Sequence, residues 1–312
     1  MALDSGYLQY PRRRRGMDHD LYPWSNLFER APIAWPCGAK VAIPIVVSLE
    51  WFPIVARDLP FRAPGHMQTP YPDYRHYTSR EYGTRVGFYR LLDAFAENGV
   101  TISVAVNAAI ADRYPALIRD VVAAGHEIVA HSTDMNGTIA TGLAEADERA
   151  LIASSLDTLE RATGTRPCGW LSIARSQSFA TPSLLVEAGL TYMLDWVNDD
   201  LPYVITTTAG PIINLPLNHE FSDRQIITIQ QQSTDSYATQ IRDAFSWLEA
   251  EADRYGGRLL SLNLTPYIIA LPYRIGVFED LLHWLRQQNA WITSTGAVVE
   301  AVARPLHDVT QL

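Results

Sequence analysis

Apolar residues return along this chain with two different periods. Short β-branched runs alternate with longer stretches in which apolar side chains recur every three or four positions. The run Val41-Ala42-Ile43-Pro44-Ile45-Val46-Val47-Ser48-Leu49 predicts a buried strand, and Pro44 within it points to a sheet edge or a bulge. Residues 80–98 place Phe88, Leu91, Leu92 and Phe95 on one helical face and stop at Asn98-Gly99. Further strands are predicted at 101–106, 126–130, 167–172, 191–196, 258–264 and 291–293, with weaker ones at 212–216 and 225–230. Helices are predicted over 114–124, 143–162, 181–188, 235–254 and 275–288, with one more at the end. Strand and helix thus alternate roughly seven times, the pattern of a parallel sheet with crossover helices.

Two segments depart from the alternation. Residues 1–36 have neither period and carry Tyr, Trp and Pro in its place, which predicts an extended arm lying on the barrel or on a neighbouring subunit. Residues 53–79 are rich in Pro, Arg, Tyr and His and predict a long loop, a kind of segment that usually carries function. The chain has 312 residues, 47% of them hydrophobic. Barrels of the β/α kind run to about 200–300 residues as one domain. Residues 37–312 therefore read as one barrel domain behind the arm, and the arm predicts a homodimer or homotetramer.

Charge narrows the partners. Charged residues make up 19% of the chain and the net charge is −9, which argues against nucleic acid or an anionic membrane and in favour of a small-molecule substrate. No apolar run approaches the length of a membrane span. The basic run Arg12–Arg15 is followed by polar and aromatic residues instead of the apolar segment that a secretory signal needs; it reads as part of a solvated or subunit-contacting arm. The two cysteines, Cys37 and Cys168, have no metal-ligand spacing and predict a cytoplasmic protein without a disulfide.

The residues just past each predicted strand carry the candidate chemistry. They are Glu50 and Trp51; Asn107; His131, Asp134 and Asn136; Trp170 and Arg175; Asp195, Trp196, Asp199 and Asp200; His219; and Thr265. On a barrel such ends converge on one cavity.

These positions also carry a resemblance. Ser48-Leu49-Glu50-Trp51-Phe52-Pro53 stands where polysaccharide deacetylases have Thr-Phe-Asp-Asp-Gly-Pro. Gly125-His126-Glu127-Ile128-Val129-Ala130-His131-Ser132 is very similar to that family's second motif. Thr163-Gly164, Pro167, Gly169-Trp170 and Arg175, then Asp195-Trp196 and Asp199-Asp200-Leu201-Pro202-Tyr203, resemble its allantoinase-like branch, which acts on small nitrogenous compounds. The resemblance runs from about residue 41 to 300. It implies a distorted (β/α)7 barrel of the polysaccharide-deacetylase (NodB) type and a hydrolase of carbon–nitrogen bonds.

The departures from the family shape the expected mechanism. The family uses one Asp as general base, with a second Asp and a His-x3-His pair holding zinc or a similar ion. Here Glu50 stands at the base position, Trp51 replaces the ligand Asp, and Met135 stands where the second His belongs. Thr265 aligns with the family's late His, and Arg175 lies four residues past the position of the third-motif Arg. One imidazole does not make a zinc site, so no cofactor is expected; the alternative is zinc or another divalent cation held by His131 with His66, His76 or Asp134. The expected function is metal-independent hydrolysis of a small amide, imide or ureide. Glu50 is the base in that reading, with its pKa raised toward neutrality by burial near Trp51. His131 would orient water or protonate the leaving nitrogen. Arg175, Asn107 or backbone N–H groups would stabilise the oxyanion, and Trp170, Trp196 and Tyr203 would sandwich a planar substrate. A metal-dependent carbohydrate N-deacetylase and a catalytically inactive ligand-binding relative are the alternatives.

Overall fold

A computed structural model describes residues 18–54, 74–140 and 142–310 of the chain. All nine residues of Val41–Leu49 are buried and form strand β1. Two helices, α1 (Tyr74–Tyr82) and α2 (Phe88–Glu97), are joined by a π-helical stretch at Gly83–Gly87. Then follow β2 (Ser103–Val106), α3 (Ala108–Arg113), α4 (Pro115–Ala123), β3 (Glu127–Ala130), α5 (Glu145–Thr163), β4 (Gly169–Trp170), α6 (Thr181–Glu187) and β5 (Tyr192–Met193). A hairpin of β6 (Tyr203–Thr207) and β7 (Gly210–Asn214) leads to α7 (Thr234–Tyr255), β8 (Arg258–Leu259), β9 (Leu262–Leu264) and α8 (Pro266–Ile269). The chain ends with α9 (Ile275–Arg286), β10 (Ala290–Thr293) and α10 (Thr295–Thr310).

The strands form one curled sheet in the order β10-β1-β2-β3-β4-β5-β7-β6, with β8 and β9 also pairing with β1. Every pairing is parallel except β6 with β7. Fully buried parallel strands need side chains that are apolar on both faces, and β1 supplies them. Pro44 sits inside this central strand instead of at an edge. It pairs with Thr293 of β10, while on the other side it falls between Ala42, which pairs with Leu259, and Ile45, which pairs with Leu262, at the break between β8 and β9, where no ladder N–H is needed toward those strands. Among the described residues β7 and β9 do not pair. The barrel is closed there by the loop after β7, through Ser261, whose hydroxyl donates to the Pro216 carbonyl and accepts the Asn218 N–H.

Two predicted elements turn out differently. Residues 225–230 are not a strand: Arg224–Ile229 coil as a π-helical turn. The first helix also begins earlier than residue 80, at Tyr74, while residues 55–73 of the predicted loop lie outside the described residues. The described part of the arm lies against its own barrel. Thr206 N–H donates to Leu21 O, Gly257 N–H donates to Ile33 O, and Trp35 is buried with its indole N–H on Arg258 O. No helix among the described residues is long and apolar enough to cross a membrane.

Candidate active site

Parallel strands deliver their carboxyl ends to one face of the sheet, and Glu50 emerges there directly after β1. Its side chain is 6% exposed. Arg224 Nη2 donates to Oε1 and Oε2 at 2.7 and 2.6 Å. The Tyr267 hydroxyl donates to Oε2 at 2.6 Å and accepts Arg224 Nη2 at 2.8 Å. Burial by itself pushes the Glu50 pKa up, but Arg224, His131 and the Tyr267 hydroxyl together hold it below the ordinary carboxylate value. The expected rise toward neutrality is therefore reversed: the buried carboxylate is ionised because a guanidinium is buried with it. The same pairing raises the pKa of Arg224 against its own burial penalty.

His131 follows β3 and is buried. Its Nδ1 lies 2.7 Å from the Leu171 carbonyl, an atom that can only accept. Nδ1 therefore carries the proton, and Nε2 presents a lone pair. Burial lowers the imidazole pKa, with Glu50 and the Leu171 carbonyl opposing and Arg224 and Arg175 reinforcing. The ring is a neutral acceptor next to an ionised carboxylate.

A second acid lies across the site. Asp195 is buried at the end of β5 and accepts Ser172 N–H at 2.8 Å, Ser172 Oγ–H at 2.9 Å and Gln177 Nε2–H at 2.6 Å. Burial raises its pKa to about 6 despite these donors and the nearby Arg175. Arg175 reaches the site from a strained turn in which both Ala174 and Arg175 adopt positive φ, 52° and 54°. Left-handed backbone at two successive non-glycine residues is a costly conformation of the kind that collects at functional sites. Arg175 Nη2 donates to Leu217 O at 2.7 Å, and its Nε is buried without a partner.

The remaining predicted residues separate into several roles. Asn107 is held by the backbone: Oδ1 accepts Trp51 N–H at 2.7 Å and Nδ2 donates to His131 O. It splints the strand ends that carry Glu50 and His131, with one Nδ2 N–H beyond these bonds. Trp51 turns to the rim, edge-on to Tyr77 and Tyr114 with the Arg113 guanidinium 4.5 Å over its ring. Asp134 Oδ1 accepts Asn136 N–H at 2.7 Å and shapes that loop. Trp170 is fully buried in the main core, so it cannot stack on a substrate. Tyr203 packs edge-on to Tyr22 of the arm. Trp196 donates to Gln177 Oε1 at 2.9 Å and helps line a cavity of about 710 Å³ with Gln177, Ser178 and Phe179. Asp199 is paired with Arg30 of the arm, and Asp200 lies 3.4 Å from Arg258. His219 is a surface residue beside Glu220. Thr265 is buried, and its N–H donates at 2.8 Å to Asp223, a buried acid whose pKa burial lifts to about 7.

The described residues do not fit a metal ion. Glu50 is committed to Arg224 and Tyr267, Met135 is buried in an apolar cluster with Phe52 and Ile173, and His131 presents a single nitrogen. Among the described residues no three His, Cys, Asp or Glu side chains converge. His76, in α1, contributes its carbonyl to Arg80; His66 lies outside the described residues.

Three features of the site escaped the sequence reading: Arg224, Tyr267 and Arg80. Tyr267 follows Thr265-Pro266 at the start of α8, where Pro is pre-set for a first helical turn. Close approach of the π-helical stretch fixes its position. A Cβ on Gly87 would lie 2.3 Å from Pro266 O, and one on Gly83 would lie 3.2 Å from Tyr267 Cδ1. That same approach brings Arg80 over Phe52, 4.3 Å from the ring centroid.

Residues 79–193 match the family model of the polysaccharide deacetylases. The chain is 22% identical over 296 residues to a Schizosaccharomyces pombe protein named as a polysaccharide deacetylase, covering 86% of this chain and 91% of that one. A solved structure of a probable polysaccharide deacetylase from Pseudomonas aeruginosa PAO1 superposes with a TM-score of 0.80 at 25% identity, covering 91% of this chain and 98% of that one. The PuuE allantoinase structure shares the fold, with a TM-score of 0.77 at 24% identity, covering 95% and 98%.

Proposed function

We propose that this chain, which carries a polysaccharide deacetylase domain, hydrolyses a carbon–nitrogen bond in a small amide, imide or ureide, with Glu50 as general base. The observation that carries this reading is the pairing of an ionised, buried Glu50 with a neutral His131 at the carboxyl ends of the strands. Glu50 Oε1 holds one donor, Arg224, and keeps a lone pair for the proton of a water. His131 Nε2 accepts that water's other proton as a hydrogen bond and orients its oxygen. With Nδ1–H given to Leu171, His131 has no proton to donate, so leaving-group protonation falls to Glu50.

The step balances on these residues. A water O–H bond breaks and its proton passes to Glu50 Oε1 as the oxygen bonds to the substrate carbonyl carbon. The developing oxyanion lies toward the free Nε–H of Arg175; one such donor is commonly worth about 3 kcal/mol. Glu50 then returns its proton to the leaving nitrogen as the carbon–nitrogen bond breaks. The fold shared with an allantoinase is compatible with a small nitrogenous substrate, and the relatives named as polysaccharide deacetylases make N-acyl sugars the alternative.

A panel of cyclic imides, ureides and N-acyl sugars, followed by acid and ammonia release, tests the reading. Turnover of an imide or ureide, unchanged by a chelator, is expected. Turnover confined to N-acyl sugars with added metal would overturn it.

A further inference from the structure

Arg80, in the last turn of α1, is 3% exposed. Part of its guanidinium is accounted for. Phe52 covers the guanidinium at 4.3 Å and Tyr267 approaches to 5.9 Å, while Nη1 donates to His76 O at 2.8 Å. Nε and Nη2 make no hydrogen bond of ordinary geometry, although the Tyr267 hydroxyl lies close enough to favour the charged guanidinium. Those two N–H groups lie side by side along one edge of the guanidinium, and that edge is the fork that binds a carboxylate through two parallel hydrogen bonds. A buried guanidinium with this fork unfilled is costly unless something completes it.

The surroundings show what is missing. Glu50 is close enough to favour the charged state of Arg80, and Arg224 close enough to oppose it. Two buried guanidiniums thus stand over one carboxylate, and that carboxylate is held by Arg224 and Tyr267. Arg175, nearer Asp195, adds another unpartnered Nε. Arg224 also lies beside Asp223, and Arg175 beside Asp195, so Arg80 is the guanidinium of this group without a carboxylate of its own, and the shape of its open fork fits a planar, two-oxygen anion.

We infer that Arg80 determines specificity: the substrate carries a carboxylate, which the Nε–Nη2 edge of Arg80 takes up while the scissile carbon–nitrogen bond lies at Glu50. This inference rests on the hydrolase reading for the identity of the scissile bond, but not for the binding of the carboxylate. Phe52 would pack against the aliphatic stretch between the two groups.

Three acid and amide pairs test it by calorimetry: N-carbamoylglycine with N-carbamoylglycinamide, succinamate with succinamide, and N-acetylglycine with N-acetylglycinamide. In the unmodified protein the acid of at least one pair is expected to bind about 10- to 100-fold more tightly than its amide, the range for hydrogen bonds to a charged partner. Arg80→Met should abolish that preference with an unchanged or higher melting temperature, since it removes an uncompensated buried charge. Arg80→Lys, which keeps the charge and loses the fork, should restore only part of it. Acids that bind no better than their amides in every pair, or a preference that survives in Arg80→Met, would overturn the inference. Turnover measured on the same pairs separates the two proposals. A carboxylate preference without hydrolysis of any member sinks the hydrolase reading alone, and hydrolysis without a preference sinks the role of Arg80 alone.

Discussion

Two glutamates stand at opposite ends of the same curled sheet, and they are held in opposite ways. Glu127, at the start of β3, accepts from neutral donors only: Ser103 Oγ at 2.6 Å, Tyr192 OH at 2.6 Å, Thr295 Oγ1 at 3.1 Å and Gly296 N–H at 2.9 Å. The last of these is an otherwise unsatisfied amide at the N-terminus of α10, so Glu127 caps that helix and faces its positive end. Gly296 leaves no spare room, since a Cβ there would lie 2.3 Å from Glu127 Oε1. Glu50 is held by a guanidinium and a phenol, with a neutral imidazole beside it and unpartnered arginine N–H groups near by. One end of the sheet is closed chemically. The other keeps a charged acceptor and unfilled donors, the combination expected of a site that binds and turns over a ligand.

The sharpest way to break this comparison is to make the same substitution at both ends. Glu50→Gln removes the proton acceptor, and general-base assistance is commonly worth about 100- to 10,000-fold in rate. It also removes the carboxylate that Arg224 holds, and breaking a buried pair can cost about 3–5 kcal/mol. Adding Arg224→Met to Glu50→Gln should restore melting temperature without restoring turnover. Recovery of both would make Glu50 a structural residue. Glu127→Gln should lose about 1–3 kcal/mol of stability through its mismatched donors, visible in a denaturant midpoint, while turnover per folded molecule stays within a few-fold.

The pH dependence of kcat/KM sharpens the contrast between acids within the active end. Glu50 is held below its ordinary value of 4.5 and His131, which must stay neutral, below its ordinary 6.5, so the rate of a Glu50 base falls only once one of these two groups is protonated. Asp195, with a pKa of about 6, would bring the acidic limb up to pH 6. A limb near 6 that disappears in Asp195→Asn would move the base to Asp195.

The comparison also explains what was legible in the sequence. The alternation of strands and helices, Glu50 and His131 were readable because each belongs to a local pattern: a strand period, or a motif at a strand end. The motif Gly125–Ser132 contains both kinds of residue. Glu127 serves the fold and His131 the site, and a single sequence does not tell them apart. Arg224 was hidden because it meets Glu50 across 174 positions. Its own segment, Ile226-Ile227-Thr228-Ile229, is β-branched and reads as a strand, yet it coils as a π-helical turn beside Asp223. Arg80 lay inside a stretch read as loop and early helix, where an arginine usually signals a solvated surface. Trp170 and Tyr203 misled in the other direction: aromatics at strand ends resemble stacking platforms, but one fills the core and the other supports the arm.

The last expected effect concerns Asp195 and uses stability in place of rate. Its folded pKa of about 6 lies above the ordinary value of 3.8, so between those values the folded state binds more protons than the unfolded chain. Stability contributed by this group is therefore fully present below 3.8 and is lost as pH rises through 6. Asp195→Asn cannot titrate. The advantage of the native protein over this variant should shrink between pH 4 and pH 7 by about 2 kcal/mol, read from denaturant midpoints at the two pH values. A constant difference would mean that Ser172 and Gln177 compensate the buried charge in full. Asp195 would then be a closed acid like Glu127, and among the described residues Glu50 and Asp223, whose Oδ1 is buried without a partner, would be left as the acids of this end whose surroundings are unfinished.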